Sequence, residues 1–553
     1  MKLYNKLLAW QSCLAVALAA CNDTENPRVD LGYATYEGTA LSNGVNQFLG
    51  MRFAAPPVGQ NRFKLPQEVI QEHGIVSAKS HGSLCLPVDG LAFTPPPGQD
   101  MSEDCLFVDV YHPAHANGTP AQNLPVMVWI SGGGFVQLLN ENYNGTGLVE
   151  ASNNGVVIVS FNYRVGPYGF LASEELQKEG SLNIGLQDQR AAMKWVEQHI
   201  GKFGGDPNNV TLFATSAGSG SVLLHTLAYG GHPPESENVN WRAGIAPAVW
   251  LPSVHKVEEI QYQYDHLLNA TNCSDLACLR SLDSDTIQRA NRGFPFPGQA
   301  NVPLFPYGPV TDGHLLTGTP SEMLRNGSFA KHRPLILGSS STEGTIFATQ
   351  ANTTQDVNDF LKTQFPDLTE YDLAQANTQY SSVPSTFPGV NVTKSPKFYQ
   401  LSQMYGDMAF SCVASEFAAG LSRAGVDVYL LRDHVLDPDE VAAGFIVPHT
   451  WELQAVWGPE YAPQSVAVPG ANSYDVGGVN HWMVGVVQAY WLSFARTGGN
   501  PNAAKAAGAP FWEPYRHGER LKLQTNSTTM ESLHEEELDR CALWSKLSAK
   551  THI

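Results

Sequence analysis

Residues 211–218 have the spacing of a nucleophile elbow, a sharp turn from strand to helix that lifts a serine hydroxyl clear of a sheet. Ser216 is flanked two positions away by the small residues Ala214 and Gly218, which such a tight turn requires. The first of these positions is usually glycine, so Ala214 adds some crowding but no polarity. A serine that caps an ordinary helix would give the same local pattern, and the motif alone leaves both interpretations open.

A run of three glycines, Gly132, Gly133 and Gly134, directly follows the apolar segment 126–130. Glycines after a strand let backbone N–H groups turn toward a ligand. In acyl transfer, such groups stabilise the oxyanion of a tetrahedral intermediate, together with the amide of the residue after the nucleophile, here Ala217. A dinucleotide-binding turn also uses glycines after a strand, but no G-x-G-x-x-G pattern opens a helix here.

A serine nucleophile needs an imidazole to take its proton and a carboxylate to orient that imidazole. In hydrolases with this elbow the order along the chain is serine, acid, histidine. Glu343 lies just past the apolar segment 335–337, where an acid at a strand end is expected. Six histidines follow it, and spacing does not choose among them: His434, His449, His481, His517, His534 and His552. His449 comes after a glycine-containing loop and before an expected helix at 451–456, which suits a base carried on a loop.

The elements that must position these residues alternate between strand and helix. Short apolar runs predict strands buried on both faces, at 126–130, 156–161, 210–213, 335–337 and 426–431. Between them, Ala192, Val196 and Ile200 recur every fourth residue, as do Leu223 and Leu227, which is typical of the buried stripe of a helix. This alternation predicts an α/β fold with a mostly parallel central sheet flanked by helices and chemistry at the carboxyl ends of its strands.

The composition excludes several classes of protein. Of the 553 residues, 43% are hydrophobic and 15% charged, which favours a large globular core over disorder. Acidic residues outnumber basic ones by 52 to 33, for a net charge of -19, so nucleic acid is not an expected partner. No segment is typical of a linker, and we expect one catalytic domain with large insertions over residues 21–553.

The N-terminal segment predicts export. Residues 1–20 combine Lys2 and Lys6 with an apolar stretch and end on two alanines, as a signal peptide does. Two alternatives to a signal peptide remain open: a buried N-terminal helix, or a lipoprotein box in which Cys21 is acylated. No later stretch is long and apolar enough to predict a membrane span. Ten glycosylation sequons favour a eukaryotic secretory route: Asn22, Asn117, Asn144, Asn209, Asn269, Asn272, Asn326, Asn352, Asn391 and Asn526.

Six cysteines remain beyond Cys13 and Cys21: Cys85, Cys105, Cys273, Cys278, Cys412 and Cys541. No CxxC or HExxH spacing accompanies them, so disulfides explain them better than a metal site, and we expect no metal. The number of cysteines does not determine which of them pair with each other.

Several motifs in order along the chain resemble the type-B carboxylesterase/lipase family, which includes cholinesterases and many secreted fungal esterases. They are residues 48–50 with 56–59, 103–106, 162–166, 203–207 and 494–501. The resemblance covers nearly the whole chain after residue 20 and implies an α/β-hydrolase fold. It also implies a secreted carboxylic-ester hydrolase that forms an acyl-enzyme on a small ester substrate without a cofactor.

The resemblance also implies roles for individual residues. The catalytic triad would be Ser216, Glu343 and His449, the last because His449 and Glu452 match the family's His-x-x-Glu segment. Gly133, Gly134 and Ala217 would donate to the oxyanion. The implied disulfides are Cys85–Cys105, Cys273–Cys278 and Cys412–Cys541, and the implied buried ion pairs are Arg62–Glu103 and Arg164–Asp188.

Three departures from the family pattern bear on specificity. The residue before the serine is usually glutamate and is Thr215 here, and Ser131 stands where relatives often carry histidine or an aromatic residue. No tryptophan lies between Cys85 and Cys105, where cholinesterases use one to hold a quaternary ammonium, so choline esters are not expected. Residues 86–104 are short for a lipase lid, which favours an esterase over a lipase. A catalytically silent binding or adhesion protein with the same fold is the alternative function.

Overall fold

The computed structural model describes residues 26–90, 100–114, 122–138, 143–462, 467–516 and 518–553. The predicted signal peptide with Cys21, the sequons at Asn22 and Asn117, His517 and residues 91–99 of the segment 86–104 lie outside these residues. The strands in the described part are β1 Arg28–Asp30, β2 Thr35–Glu37, β3 Thr39–Ala40, β4 Val45–Arg52, β5 Ile75–Ser77, β6 Leu84–Cys85, β7 Met101–Ser102, β8 Phe107–Pro113, β9 Leu124–Ile130, β10 Val157–Phe161, β11 Gly205–Ala214, β12 Ala243–Ala246, β13 His255–Lys256, β14 Val310–Thr311, β15 Leu335–Ser340, β16 Val428–His434, β17 Glu519–Gln524 and β18 Thr529–Ser532.

Helices of very different lengths connect these strands. In the same residue ranges they are α1 Thr146–Ala151, α2 Gly166–Phe170, α3 Glu174–Lys178, α4 Ile184–His199, α5 Ala217–Leu227, α6 Val257–Thr271, α7 Leu276–Ser281, α8 Ser284–Ala290, α9 Pro320–Arg325, α10 Thr354–Gln364, α11 Glu370–Gln379, α12 Phe398–Gly406, α13 Cys412–Arg423, α14 Pro438–Ala442, α15 Leu453–Trp457, α16 His481–Thr497 and α17 Glu535–Thr551.

A large mixed sheet forms the centre of the fold. Its eleven described strands run in the order β18-β17-β16-β15-β12-β11-β9-β10-β8-β4-β3. The seven strands from β17 to β10 are mutually parallel, and antiparallel strands complete both edges. The predicted α/β class with a mostly parallel sheet is therefore confirmed.

The five predicted strands all occur, with longer bounds in most cases. The strand expected at 210–213 begins earlier, at Gly205, because an irregular register between Gly205 and Val210 extends its pairing with β9. The helix expected at 451–456 begins two residues later, at Leu453, because residues 450–452 form a turn instead.

Both faces of the sheet are buried, as its apolar strands predict. Along β9, Val126, Val128 and Ile130 belong to one hydrophobic cluster, whereas Met127 and Trp129 belong to another on the opposite face. This alternation follows from the two-residue period of a strand. Helices must therefore cover both faces, which leaves the carboxyl ends of the strands for loops that carry function.

Three disulfides and two buried ion pairs are present as the resemblance implies. The disulfides join Cys85 to Cys105, Cys273 to Cys278 and Cys412 to Cys541. The Arg62 and Arg164 guanidiniums form two-pronged pairs with Glu103 and Asp188, and all four side chains are buried. In the part of the chain that the structure describes, no helix has the length and apolarity needed to cross a bilayer.

Candidate active site

Ser216 lies at the sharp turn between β11 and α5. Its backbone has φ 55° and ψ −128°, an uncommon conformation for a residue with a side chain. A Cβ at Gly218 would lie 2.1 Å from the Ile130 carbonyl oxygen, so only glycine fits there. The strand and helix thus pack as closely as a nucleophile elbow requires, and an ordinary N-cap serine does not account for this backbone.

The glycine loop after β9 packs against this turn. A Cβ at Gly132 would lie 2.8 Å from the Ser216 Cβ, so the two backbones are in close contact. Gly133 and Gly134 have φ values of 118° and 64°, which aim their amides in directions that residues with side chains rarely adopt. Among the described residues, none accepts a hydrogen bond from the amides of Gly133, Gly134 or Ala217. These N–H groups remain available to a ligand oxygen.

Glu343 and His449 form a buried hydrogen-bonded pair. Glu343 follows β15 and begins a short 3-10 helix, and its Oε2 accepts a hydrogen bond from His449 Nδ1. Its other oxygen, Oε1, accepts the Ser340 amide at 2.5 Å. Both side chains are at most 4% exposed. The carboxylate therefore fixes the orientation of the imidazole and places the proton of the neutral ring on Nδ1, which leaves Nε2 free to act as a base.

Thr342 ties the loop that carries His449 to the loop that carries Glu343. Its Oγ1 lies 2.7 Å from the Phe445 carbonyl oxygen and accepts the Val447 amide at 2.9 Å. The histidine loop is strained, since the β-branched residues Ile446 and Thr450 both have positive φ, 68° and 67°. Strain of this kind persists only where the surroundings enforce it and is common at functional sites.

Two aromatic rings pack against the imidazole of His449. Phe347 and Phe410 lie 5.4 and 4.8 Å from it between ring centroids. His449 Nε2 is buried and has no hydrogen-bond partner among the described residues, so the structure lacks the bond from Ser216 Oγ to Nε2. Catalytic hydrogen bonds of this kind are often long without substrate and tighten when it binds.

One contact joins the serine turn to the histidine segment directly. Thr215 Oγ1 donates to Glu452 Oε1 at 3.0 Å. The residue before Ser216 is therefore hydrogen-bonded to the segment that carries His449. The second oxygen of Glu452 is buried without a partner in the described part of the chain. Burial, reinforced by the negative charge of Glu343, raises the pKa of Glu452 to about 7.

The raised pKa of Glu452 makes stability depend on pH. In the unfolded chain this carboxyl titrates near 4.5, so the fold disfavours its charged form. That penalty is absent below pH 4.5 and complete above pH 7, and it amounts to about 3 kcal/mol. We therefore expect Glu452→Gln to gain stability relative to the wild type as the pH rises from 4.5 to 8, measured by urea unfolding. Glu460→Gln, at an exposed position, serves as the control. If Glu452→Gln changed the free energy of unfolding by the same amount at pH 4.5 and at pH 8, the raised pKa of Glu452 would be contradicted.

A small cavity of about 50 Å³ lies beyond the glycine loop, on the far side of Phe305. Trp250, Phe305 and Tyr405 line it, and a Cβ at Gly134 would lie 2.1 Å from the Phe305 ring. Phe305 in turn contacts Phe347, the ring beside His449. Phe305 therefore separates this cavity from the glycine loop and contacts the ring that flanks His449.

The model of the carboxylesterase family matches residues 25–544. The chain belongs to the carboxylesterase family. This membership makes it a carboxylic-ester hydrolase and confirms the resemblance of its motifs and its α/β-hydrolase fold.

This carboxylesterase has named relatives among fungal proteins. It is 29% identical to "Secreted lipase 4" of Gibberella zeae over 89% of its own length and 88% of the relative's. It is 34% identical to "Lipase 1" of Geotrichum candidum over 67% of its length and 73% of that chain. Among solved structures, Aspergillus niger EstA is similar with a TM-score of 0.87 and 38% identity, over 96% of this chain and 100% of that one.

The other histidines beyond Glu343 lie in different settings in the carboxylesterase. His434 pairs with Ser341 Oγ at 2.9 Å, and burial and the neighbouring Arg432 lower its pKa to about 4. His481 begins α16 and bonds the Tyr474 carbonyl. His534 precedes α17 and His552 follows it, while His517 falls outside the described residues. Only His449, among those that the structure describes, bonds Glu343.

Two features of the site were missed by the sequence analysis. Neither the Thr215–Glu452 hydrogen bond nor the Thr342 tie was predicted. Thr215, in place of the usual glutamate, was a signal for the first, because a threonine hydroxyl can donate to a buried carboxylate such as Glu452. The tie has no sequence signal, since threonine side chains bond backbone groups in many loops.

Proposed function

We propose that this carboxylesterase is a secreted serine esterase that works through an acyl-enzyme on Ser216, with His449 as base and Glu343 as its orienting acid. The observation that carries the proposal is the buried Glu343–His449 pair. The strained serine turn is joined to the segment that carries His449 by the Thr215–Glu452 hydrogen bond. A catalytically silent relative would have no need to retain all three side chains and an unoccupied set of amides.

The first half of the reaction forms the acyl-enzyme. Ser216 Oγ attacks the ester carbonyl carbon while His449 Nε2 accepts its proton, and Glu343 stabilises the imidazolium that results. The amides of Gly133, Gly134 and Ala217 donate hydrogen bonds to the oxyanion. His449 then returns the proton to the leaving alcohol as the carbon–oxygen bond breaks.

The second half releases the acid. Water attacks the acyl carbonyl as His449 removes its proton, and the same amides stabilise the second tetrahedral intermediate. Collapse of that intermediate returns the proton to Ser216 and frees the carboxylic acid. No cofactor enters either half, because the serine, the imidazole and the amides supply the nucleophile, the proton transfers and the charge stabilisation.

We propose that soluble esters are preferred to aggregated lipid. This preference rests on residues 86–104, which are short for a lipase lid. We expect hydrolysis of p-nitrophenyl esters, from acetate to palmitate, to be fastest for the soluble members. A jump in rate above the solubility limit of a substrate would instead indicate a lipase.

The lack of a tryptophan between Cys85 and Cys105 gives a second specificity test. Butyrylcholine and its uncharged isostere, 3,3-dimethylbutyl butyrate, differ only in the quaternary charge. We expect kcat/KM values within about threefold, because a cation–π contact worth ~0.5–2 kcal/mol is missing. A preference of tenfold or more for the choline ester would contradict this part of the proposal.

We further propose that residues 1–20 are removed as a signal peptide and that residues 21–553 form one catalytic domain. Six sequon asparagines are exposed, as glycan acceptors must be: Asn269, Asn272, Asn326, Asn352, Asn391 and Asn526. Three disulfides also fit an oxidising compartment. N-terminal sequencing of protein recovered from the culture medium tests the cleavage site.

A further inference from the structure

Two histidines and a glutamate that are far apart along the chain lie close together in space. His255 lies in β13, Glu259 lies in the first turn of α6, and His552 directly follows α17. One possible ligand atom of each lies within 4.8 Å of the other two. Nδ1 of His255 and Nδ1 of His552 are 3.4 and 3.9 Å from the same glutamate oxygen, Oε2.

These separations are close to those within a metal coordination sphere. Zinc bonds nitrogen at about 2.0–2.1 Å in a tetrahedron, which puts neighbouring ligand atoms roughly 3.3 Å apart. Two hydrogen bonds already tie the end of α17 to the segment before β13: the Val254 amide donates to the His552 carbonyl at 2.8 Å, and Ser253 Oγ donates to the Thr551 carbonyl at 2.7 Å. Only small side-chain movements are needed for the three atoms to surround one ion.

The two ring nitrogens of His255 have different surroundings. Its Nδ1 lies 3.4 Å from Glu259 Oε2, whereas its Nε2 is buried without a hydrogen-bond partner among the described residues. Nδ1 is therefore the atom of His255 that can share an ion with Glu259.

A carboxylate outside the group orients the second imidazole. His552 Nε2 lies 2.9 Å from Asp367 Oδ2, which places the ring proton on Nε2 and leaves Nδ1 facing Glu259. Metal-bound histidines commonly donate their other nitrogen to a carboxylate in this way. Glu259 is 37% exposed, so an ion can enter from solvent.

We propose that His255, Glu259 and His552 bind one divalent transition-metal ion of the zinc class, with a further position open to water. Two imidazoles select such an ion over calcium or magnesium, which prefer all-oxygen ligands. The ion would tie His552, just after α17, to the start of α6 and so stabilise the fold. The sequence analysis expected no metal because no CxxC or HExxH spacing accompanies the cysteines, and it did not consider His255, Glu259 and His552 together.

Zinc binding by the full-length, tag-free protein tests this proposal. After EDTA treatment and gel filtration, calorimetric titration with ZnCl2 is expected to show one equivalent bound, and the Tm is expected to rise with zinc concentration. His255→Gln, His552→Gln and Glu259→Gln should each weaken binding at least tenfold. Asp367→Asn should weaken it by about 10–100-fold through loss of the orienting contact.

The control is His73→Gln, which removes an exposed histidine and should leave zinc binding unchanged. Melting curves without metal verify that each variant folds, and the partly exposed His552 and Asp367 provide variants that do not open a buried site. Absence of a stoichiometric zinc ion, or equal binding and equal Tm shifts in the wild type and the variants, would overturn the proposal. These readouts do not involve ester hydrolysis, so they are independent of the proposed triad.

Discussion

Replacement of Ser216 by alanine is expected to lower kcat for p-nitrophenyl butyrate by about 10⁵–10⁶-fold, because no atom then remains to form the acyl-enzyme. Alanine keeps the Cβ, and the positive φ of 55° is as strained for alanine as for serine, so the Tm should change little. The wild-type rate is measured by stopped flow, and the residual rate of Ser216→Ala is measured by following release of p-nitrophenol over hours with purified protein.

The control for this variant is Ser219→Ala. Ser219 lies one turn along α5 and is also buried, with no hydrogen-bond partner for its hydroxyl among the described residues. Its replacement should preserve both activity and Tm. Retention of more than a hundredth of the wild-type rate by the Ser216 variant would refute its role as nucleophile.

Glu343→Gln is expected to lower kcat by about 10⁴-fold, as loss of the orienting acid does in related triads. The amide oxygen can still accept the Ser340 N–H, but the NH₂ group then faces His449 Nδ1, where a carboxylate oxygen lies now. The favoured ring tautomer reverses, and Nε2 carries the proton instead of the lone pair. Pre-steady-state kinetics with p-nitrophenyl acetate should show the acylation step slowed.

Glu452→Gln is the matched control, since it also replaces a buried carboxyl on the same segment as His449. Glu452 contacts Thr215 and not the imidazole nitrogens in the described structure, so its variant should lose far less activity. Equal losses in the two variants would mean that the buried acids act as one charge and that Glu343 has no special orienting role.

The core of the fold was predictable because it depends on periodic patterns. The apolar runs at 126–130 and 335–337 are buried on both faces of one sheet, and the run of small residues around Ser216 fits a close strand–helix crossing. Such patterns report burial, which the sequence encodes locally. The bounds were less predictable, as the early start of β11 shows, because register irregularities depend on the neighbouring strand.

The partners within the site were predictable only in part. Glu343 could be chosen because it follows a strand, but six histidines were equivalent by spacing. The loop position of His449 favoured it, and the His-x-x-Glu resemblance selected it. Contacts between loops, such as Thr215 with Glu452 or His255 with His552, join residues hundreds of positions apart. No local pattern encodes these contacts, since they arise when the sheet and its helices bring separate loops together.

Covalent labelling tests the central claim most directly. A fluorophosphonate probe, followed by proteolysis and mass spectrometry, is predicted to modify the wild type once, on the peptide that carries Ser216, and to leave Ser216→Ala unlabelled. Labelling should slow sharply in Glu343→Gln and in His449→Ala, since the same base activates the serine toward phosphorus. A label on another residue, or equal labelling rates with and without His449 and Glu343, would contradict the proposed triad.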